Sequence, residues 1–280
     1  MVAIMPDALW LEDFIDRALA EDIGFGDITT ASVVPEDAAI RAEIEVQAEG
    51  VVCGLAVAEK IFHRVDSQLK VRSLASDGDR VSGAVMRIEG SARSALTAER
   101  TALNILQRLS GIATLTWRYV QAVAGTKTAI ADTRKTTPGM RALEKYAVAV
   151  GGGRNHRFGL FDAVLIKDNH LSLAGCSLTE AIHRARQRAP HLAKIEVECA
   201  TLGQVEEAVA AKADAIMLDN MSLDEMREAV RMAPGVLLEA SGGITLETVR
   251  SIAETGVDLI SVGALTHSAP ILPMHMEVVP

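Results

Sequence analysis

Apolar residues in the first part of the chain recur with both helical and strand-like spacing. Residues 8–22 place apolar side chains three and four positions apart, which predicts an amphipathic helix. Residues 41–48 and 84–88 alternate between apolar and polar, which predicts half-buried strands. Residues 97–124 return to the helical period over a longer stretch, with Gly111 as a candidate break. Strands and helices mixed in this way predict an α+β first domain.

After Gly125, short apolar runs alternate with helical patterns. The runs predicted to be strands cover residues 128–131, 163–166, 195–199, 215–218, 236–238 and 259–262. The helical patterns between them cover residues 138–149, 177–189, 201–212, 222–232 and 245–255. The last four strands are spaced about 21 residues apart, which is the length of one compact βα unit. Strands that are apolar on both faces and separated by helices predict a parallel sheet.

Residues suited to binding or catalysis follow nearly every one of these strands. An open doubly wound sheet uses mainly the strand ends at its switch point, whereas a barrel collects all of them at one mouth. The even distribution of these residues favours the barrel, and six recognisable units predict that it is incomplete. The residues concerned are Arg134, Lys135, Lys167, Glu198, Asp219, Ser241, Gly242, Gly263 and His267.

The composition is that of a folded protein and argues against several kinds of partner. The 280 residues are 49% hydrophobic and 23% charged, which is too apolar for a disordered chain. A net charge of −9 with only 2 Trp and 2 Tyr argues against nucleic-acid binding, and no apolar run is long enough for a membrane helix. The N-terminus lacks the basic segment of a signal peptide, and three cysteines without a CxxC motif fit a reduced, cytoplasmic protein without a zinc site.

Positive charge is nevertheless concentrated in one segment. Between Asp132 and Lys167, seven basic and three acidic residues give a local net charge of +4. Such a concentration is typical of a site that binds anions. The alternative interpretation is that Arg141 and Lys145 are neighbours on a solvated helix face.

Glycine-containing turns follow the last two predicted strands, at Ser241-Gly242-Gly243 and at Gly263. In barrels these two loops commonly hold a phosphate group, because glycines let backbone N–H groups approach it and a helix N-terminus faces it. The alternative is that the glycines only form tight turns.

Carboxylates are predicted inside the same barrel. Glu196 and Glu198 are two positions apart on one strand, so both side chains point to the same face, and Asp219 ends the next strand. Buried carboxylates need a partner, and carboxylates together with substrate phosphates are the usual ligands of Mg²⁺. The alternative partner is a lysine of the barrel, above all Lys167.

Cationic side chains converge on this mouth from separate segments. Arginine suits carboxylates and phosphates because its planar fork donates two parallel hydrogen bonds. Lys167 alone is also compatible with a Schiff-base nucleophile, but that chemistry does not account for the carboxylates and the glycine turns. The cationic residues are Arg134, Lys135, His156, Arg157 and Lys167.

Seven sequence blocks stand out in the chain: AERTALNILQRLSGIAT (98–114), DTRKTTPGMRALEKYAV (132–148), GGGRNHRFGLFDAVLIKDNH (151–170), IEVE (195–198), IMLDN (216–220), EASGGI (239–244) and GVDLISVGALTHS (256–268). In these blocks the chain most strongly resembles quinolinate phosphoribosyltransferase, the decarboxylating enzyme family of NAD biosynthesis. The resemblance covers nearly the whole chain.

The resemblance implies an N-terminal α/β sandwich domain over residues 1–115, joined by the C-terminal tail 269–280, and an incomplete α/β barrel of seven or fewer strands over 116–268. It also implies a homodimer or larger homo-oligomer in which Arg100 reaches the active site of the neighbouring subunit. The tail of this chain departs from the family pattern at Pro273, which cannot donate to a sheet, so a tail strand there must lie at an edge or begin later.

Residue by residue, the resemblance implies that Arg134, His156 and Arg157 grip the two carboxylates of quinolinate. Lys135 and Lys167 would line the shared pocket. Glu198 and Asp219 would lie around the ribose and Mg²⁺ of phosphoribosyl pyrophosphate. The phosphate end would be formed by Ser241, Gly242, Gly263 and His267. The products would be nicotinate mononucleotide, pyrophosphate and CO₂.

Three other functions stay open on the sequence. A phosphoribosyltransferase for nicotinate would need one carboxylate fewer in its substrate, and the several arginines favour the diacid. A Schiff-base lyase would use Lys167. A non-catalytic relative of the kind associated with molybdenum transport would bind an anion without turnover, and the intact DTRKT and KDNH blocks count against it.

Overall fold

The computed structural model describes residues 3–279, which form two compact units. The first unit contains the described residues up to Trp117, Thr137–Gly152 and those from Leu265 onward; the second contains Arg118–Thr136 and Gly153–Ala264. The helices are α1 (Ala8–Ile23), α2 (Ile28–Val33), α3 (Leu55–Val65), α4 (Ala92–Ala122), α5 (Arg141–Val150), α6 (Asp168–Ala174), α7 (Leu178–Arg188), α8 (Leu202–Ala210), α9 (Leu223–Met232), α10 (Val249–Ala253) and α11 (Ala264–His267). The strands are β1 (Ala39–Val51), β2 (Lys70–Ser73), β3 (Arg80–Ser91), β4 (Ala129–Ala131), β5 (Val164–Ile166), β6 (Ile195–Cys199), β7 (Ala215–Asp219), β8 (Leu237–Ser241), β9 (Leu259–Ser261) and β10 (Met274–Val278).

The first unit is built on an antiparallel sheet with the strand order β10-β1-β3-β2. β1 alternates between exposed and buried residues, as its sequence pattern predicts, and its inward side chains Ala42 and Ile44 are fully buried. The long helix α4 contributes a buried stripe, and its Ser110 and Thr114 hydroxyls accept hydrogen bonds from the backbone N–H groups of Cys53 and Val51 at 2.9 Å. The predicted mixture of strands and helices is confirmed.

Gly111 does not break helix α4, contrary to the sequence prediction. The helix continues through it, and a Cβ atom at this position would lie 2.0 Å from the carbonyl oxygen of Pro270. Glycine is therefore needed because two backbones approach each other closely, and the helix tolerates the residue in its interior.

The C-terminal strand β10 is an edge strand. It starts at Met274, directly after Pro273, and pairs antiparallel with β1 from Ala42↔Val278 to Val46↔Met274. The backbone N–H of Gln47 donates to the carbonyl oxygen of Pro273 at 2.9 Å, a bond that does not require an N–H on the proline. The prediction that a tail strand lies at an edge or begins after Pro273 is confirmed.

The second unit contains a parallel sheet of six strands in the order β4-β9-β8-β7-β6-β5. Its central strands are almost fully buried, as is typical of parallel strands. All six predicted strands are present, and the sheet fits the predicted incomplete barrel. The helix predicted over 245–255 is shorter than expected, since α10 begins only at Val249.

The predicted domain boundaries at 115/116 and 268/269 stay a prediction, and the compact units differ from them in one segment. Thr137–Gly152, which carries α5, belongs to the first unit. The solvated face proposed as the alternative for Arg141 and Lys145 is wrong for Lys145, whose exposed fraction is 1%. Within residues 3–279, no helix is both long and apolar enough to cross a membrane.

Candidate active site

A cavity of about 620 Å³ opens at the carboxyl ends of the parallel strands of the second unit. Since parallel strands end at the same edge of their sheet, side chains that are distant in sequence meet there. Nine of the twelve residues predicted for the site line this cavity. They are Arg134, Lys135, His156, Arg157, Lys167, Glu198, Asp219, Ser241 and Gly242.

The other three predicted residues are placed elsewhere. Gly263 follows β9 but is not among the residues that line the cavity. Arg100 on α4 and His267 on α11 belong to the first unit, where Arg100 keeps 59% of its side chain exposed. The Nδ1 atom of His267 lies 2.6 Å from the hydroxyl of Ser268. The roles predicted for these three residues stay predictions.

The basic segment 132–167 contributes to the cavity only in part. Four of its seven basic residues, Arg134, Lys135, Arg157 and Lys167, line the cavity, whereas Arg141 and Lys145 lie on α5 in the first unit. The net charge of +4 counted along this segment therefore includes basic residues that do not line the cavity.

Lys167 and Glu198 form an ion pair inside the cavity. Lys167 directly follows β5, Glu198 is on the neighbouring strand β6, and the lysine Nζ donates to Glu198 Oε2. The Glu198 side chain is 16% exposed, so the lysine offsets the cost of burying its charge. Glu198 thus has the lysine partner that the sequence offered as an alternative, and its carboxylate is also one of the two predicted ligands for a cation.

A buried aspartate fixes the backbone that carries His156. Asp132, fully buried after β4, accepts hydrogen bonds from the Asn155 side chain at 2.7 Å and from the His156 backbone N–H at 2.8 Å. Arg154 also pairs with β4, because its N–H donates to Ile130 at 2.7 Å and its carbonyl accepts from the Asp132 N–H at 3.0 Å. The segment after Gly153 is thus held at the edge of the sheet.

The imidazole of His156 lies between two buried glutamates. Its Nε2 is 2.9 Å from Glu196 Oε2 and 3.7 Å from Glu239 Oε1. Its Nδ1 accepts a hydrogen bond from the backbone N–H of Arg157 at 2.7 Å, so the ring proton is assigned to Nε2. Burial and, to a smaller extent, the charge of Glu196 raise the pKa of Glu239 to about 7, against the opposing effect of His156.

The two guanidinium groups of the cavity repel each other. Burial lowers the pKa of Arg157, and the neighbouring positive charge of Arg134 lowers it further. The Arg157 side chain is anchored by a hydrogen bond from Nη1 to the Ala163 carbonyl at 3.0 Å. An anionic group near both guanidiniums would relieve the repulsion, which is what a carboxylate-binding pocket requires.

The turn after β8 depends on glycine. Gly242 has a φ of 103°, and a Cβ atom there would lie 2.2 Å from Asn220 Oδ1. Asn220 has a positive φ of 52° itself, and its N–H donates to the Ser241 carbonyl at 3.0 Å while its side chain donates to Asp219 at 3.1 Å. The expectation that the glycine turn opens directly into a helix is wrong, because α10 starts six residues further on, at Val249.

Asn220, Glu239 and Ser261 also line the cavity, and the sequence assigned them no role in the site. Glu239 carried a usable signal, because it is two positions from Ser241 on β8 and residues two apart on a strand share a face. Asn220 carried a weaker one in its position directly after a strand. Its contribution comes from a backbone conformation that asparagine tolerates better than most residues.

Two sets of donors in the second unit are suited to cations. Glu198 and Asp219 offer carboxylate oxygens in the cavity, the type of ligand that Mg²⁺ prefers. The ligand atoms of His156, Glu196 and Glu239 lie within 4.8 Å of one another, which is a mixed nitrogen and oxygen set.

Comparisons with known proteins give concordant results. A family model described as the C-terminal domain of quinolinate phosphoribosyl transferase matches residues 112–277, and the model of the N-terminal domain matches residues 27–110. The nicotinate-nucleotide pyrophosphorylase (carboxylating) of Mycobacterium leprae is 44% identical over 274 residues, covering 95% of this chain and 96% of the relative. The quinolinate phosphoribosyltransferase (decarboxylating) 1b of Nicotiana tabacum is 41% identical over 290 residues, covering 96% and 82%.

Among solved structures, the crystal structure of NadC from Streptococcus pyogenes superposes on this fold with a TM-score of 0.94. The two sequences are 40% identical, and the match covers 99% of this chain and all of the other. The similarity therefore extends over both compact units.

Proposed function

The chain belongs to the quinolinate phosphoribosyl transferase family, and from that premise we propose that it transfers the phosphoribosyl group of phosphoribosyl pyrophosphate to quinolinate. Quinolinate loses CO₂ in the reaction, and nicotinate mononucleotide and pyrophosphate are released for NAD biosynthesis. One observation carries the proposal: all five predicted cationic residues line a single cavity together with Glu198, Asp219 and the glycine turn.

The cationic side of the cavity is assigned to quinolinate. Arg134 and Arg157 would receive its two carboxylates, together with His156, and Lys135 and Lys167 would add positive charge where both substrates meet. Both substrates are strongly anionic, so these side chains offset charge that would otherwise prevent the two molecules from approaching.

The acidic side of the cavity is assigned to the ribose. When the bond from the ribose carbon to pyrophosphate breaks, this carbon acquires positive charge, and the pyridine nitrogen attacks it. The carboxylates of Glu198 and Asp219 would stabilise that positive charge, so no protein nucleophile is required. The bond from the ring to the adjacent carboxylate then breaks, CO₂ leaves, and the new pyridinium nitrogen stabilises the electron pair left on the ring until a proton replaces it.

The phosphate end is assigned to Ser241, Gly242, Gly263 and His267. The support is that Ser241 and Gly242 line the cavity and that Gly242 has no side chain to keep a phosphate from the backbone.

Magnesium is proposed as the cofactor, with Glu198 and Asp219 as its protein ligands. Their carboxylates are hard oxygen donors in the cavity, which fits this ion, and the Lys167 pair on Glu198 would loosen on binding. When bound, the ion supplies positive charge that offsets the charge of the pyrophosphate. Removal of divalent ions with a chelator should abolish turnover, and Asp219→Asn should raise the Mg²⁺ concentration needed for half-maximal rate.

A homodimer or larger homo-oligomer is proposed, with Arg100 completing the active site of the neighbouring subunit. The exposure of the Arg100 side chain supports this role, because a residue donated to another subunit must be accessible. Mixing two inactive variants, Arg100→Ala and Lys167→Ala, should restore activity through hybrid sites. If Arg100 acts within its own chain, mixing restores nothing.

The cytoplasm is the proposed location. Its support is that Cys53, Cys176 and Cys199 are all unpaired, as in proteins of reducing compartments. Cell fractionation followed by an activity assay would test this assignment.

The decisive experiment supplies the enzyme with quinolinate, phosphoribosyl pyrophosphate and Mg²⁺ and measures nicotinate mononucleotide, pyrophosphate and CO₂. Quinolinate labelled at the carboxylate next to the ring nitrogen should release labelled CO₂. Nicotinate in place of quinolinate tests the monocarboxylate alternative, and borohydride trapping with aldehydes or ketones tests Lys167 as a Schiff-base nucleophile. No product with any divalent metal would contradict the proposal.

A further inference from the structure

Two glutamates that the proposed mechanism does not use converge on His156. Glu196 lies on β6 and Glu239 on β8, with β7 between them in the sheet. Their exposed fractions are 8% and 1%, and their carboxylates approach the same imidazole nitrogen at 2.9 and 3.7 Å. Side chains from two strands thus support one ring that is carried by a separate segment of the chain.

The contacts leave the His156 ring one orientation. Glu196 accepts from Nε2, the backbone N–H of Arg157 donates to Nδ1, and Asp132 accepts from the backbone N–H of His156 itself. Rotating the ring would break the first two contacts together. Because one of them is made with the Arg157 backbone, the ring also fixes where the Arg157 side chain starts.

Fold stability does not explain the two carboxylates. Among the described residues, neither Glu196 Oε1 nor Glu239 Oε1 has a hydrogen-bond partner, although both atoms are buried. A buried acceptor without a donor costs about 1–3 kcal/mol, and apolar side chains at these inward positions would avoid that cost. The residues destabilise the unit locally while they hold His156.

Arg157 has a hydrogen-bond donor that no described residue uses. Arg157 uses Nη1 for the Ala163 carbonyl, whereas its buried Nε has no hydrogen-bond partner among the described residues. Arg157 lines the cavity, so a carboxylate oxygen of a ligand is a suitable acceptor for this group.

We propose that Glu196 and Glu239 are positioning residues that determine the preference for a dicarboxylate. They hold the His156 ring and, through it, the start of the Arg157 side chain in the arrangement that receives the second carboxylate of quinolinate. This inference rests on the proposed function. It assigns the two glutamates to substrate recognition and leaves the ribose and pyrophosphate chemistry to Glu198 and Asp219.

The test compares variants at one position in the intact protein. Glu196→Ala should raise KM for quinolinate about tenfold or more and leave KM for phosphoribosyl pyrophosphate within about twofold, because a small misplacement of a positioned group has large effects. Glu196→Gln keeps an acceptor for Nε2–H and should recover to within about threefold of the wild type. Glu239→Gln, at the longer distance, should lie between them. Glu206→Ala changes an exposed glutamate on α8 and serves as the matched control.

Calorimetry gives a readout that a merely structural role would not change. The ratio of the dissociation constants for nicotinate and quinolinate should fall toward one in Glu196→Ala, since the second carboxylate no longer contributes its full binding energy. If the alanine variant is unstable, the same ratio is measured in Glu196→Gln and Glu239→Gln, where it should decrease less.

An unchanged KM and ratio, or an equal loss for both substrates, would overturn the inference while the wild type remains active. Absence of CO₂ release by the wild type would instead contradict the proposed function. The two failures are therefore distinguishable.

Discussion

Two buried glutamates, Glu144 in the first unit and Glu239 in the second, are almost equally buried and have different surroundings. Glu144 is completely buried and accepts hydrogen bonds from Arg108 at 2.7 and 3.1 Å and from the Thr137 hydroxyl and N–H at 2.8 and 3.0 Å. Glu239 is 1% exposed, has an unpartnered Oε1 among the described residues, and lines the cavity. The difference teaches that hydrogen-bond donors, and not burial alone, separate a carboxylate that stabilises the fold from one that serves the binding site.

The largest effect is expected at Glu144. Glu144→Ala leaves the Arg108 guanidinium without its carboxylate, and breaking a buried pair in this way costs about 3–5 kcal/mol of unfolding free energy. Denaturant unfolding measures the loss, and the activity of the molecules that remain folded should be nearly normal. A variant with normal stability would remove the contrast with Glu239.

Arg157 tests the opposite case, a charge kept for a ligand. Arg157→Ala should weaken quinolinate binding about 100-fold, because removing one partner of a charge pair that the bound ligand buries costs about 2–5 kcal/mol. Binding of phosphoribosyl pyrophosphate should change only a few-fold, and the same split is expected for Arg134→Ala. Calorimetry with each substrate alone decides, and equal losses for both ligands would refute the assignment.

The raised pKa of Glu239 should make the stability of the protein depend on pH. Its pKa is about 7 in the folded protein against an ordinary value of 4.5, so the unfolded chain releases this proton first as the pH rises. The stability contributed by this carboxyl is present below about pH 4.5 and is lost as the pH rises to about 7. Glu239→Gln removes the effect.

Relative to the wild type, Glu239→Gln should therefore gain about 1–3 kcal/mol between these two pH values. Unfolding midpoints measured across this range for both proteins provide the check. A parallel pH dependence of the two proteins would show that Glu239 does not carry the shifted pKa.

The smallest contrast concerns two glycines. Gly242→Ala places a methyl group against the flexible Asn220 side chain at a φ of 103°, so we expect a loss of about 1–3 kcal/mol and a raised KM for phosphoribosyl pyrophosphate. The methyl group of Gly111→Ala would clash with the Pro270 backbone, so this variant should lower stability without changing KM for phosphoribosyl pyrophosphate. Thermal unfolding and steady-state kinetics of both variants test this difference, and an equal change of KM in the two variants would refute it.

The sequence predicted the second unit more completely than the first. Its strands are continuous apolar runs followed by candidate functional residues, and this pattern can be recognised in the sequence without knowing how the strands pack. Helix α3 was not predicted although Leu55, Ala58, Ile61 and Phe62 have helical spacing. It begins only four residues after the end of β1, and Gly54, with a φ of 101°, precedes it where a capping side chain would mark a helix start. Helices of one turn or two, such as α2 and α11, lack enough residues to show a period.

Most residues of the site could be predicted from the sequence, whereas the contacts between their side chains could not. Arg134 and Glu198 follow from charge and position at strand ends, Arg157 follows from its place in a basic segment after a glycine-rich loop, and the family resemblance assigned all three their roles. The contact of Glu196 and Glu239 with His156 depends on which side chains converge across three strands, which no local pattern specifies. The same holds for Lys145, which the alternative interpretation placed on a solvated helix face and which tertiary packing buries.

The pairing of β10 with β1 has a consequence for biosynthesis. Residues 42–46 leave the ribosome about 230 positions before their partners at 274–278, which at roughly 5–20 residues per second is a delay of about ten to fifty seconds. During this time one side of β1 presents open hydrogen-bonding groups, a template for aggregation. Arg41, Glu43 and Glu45 alternate along that strand and give it charges that discourage premature association with other nascent chains.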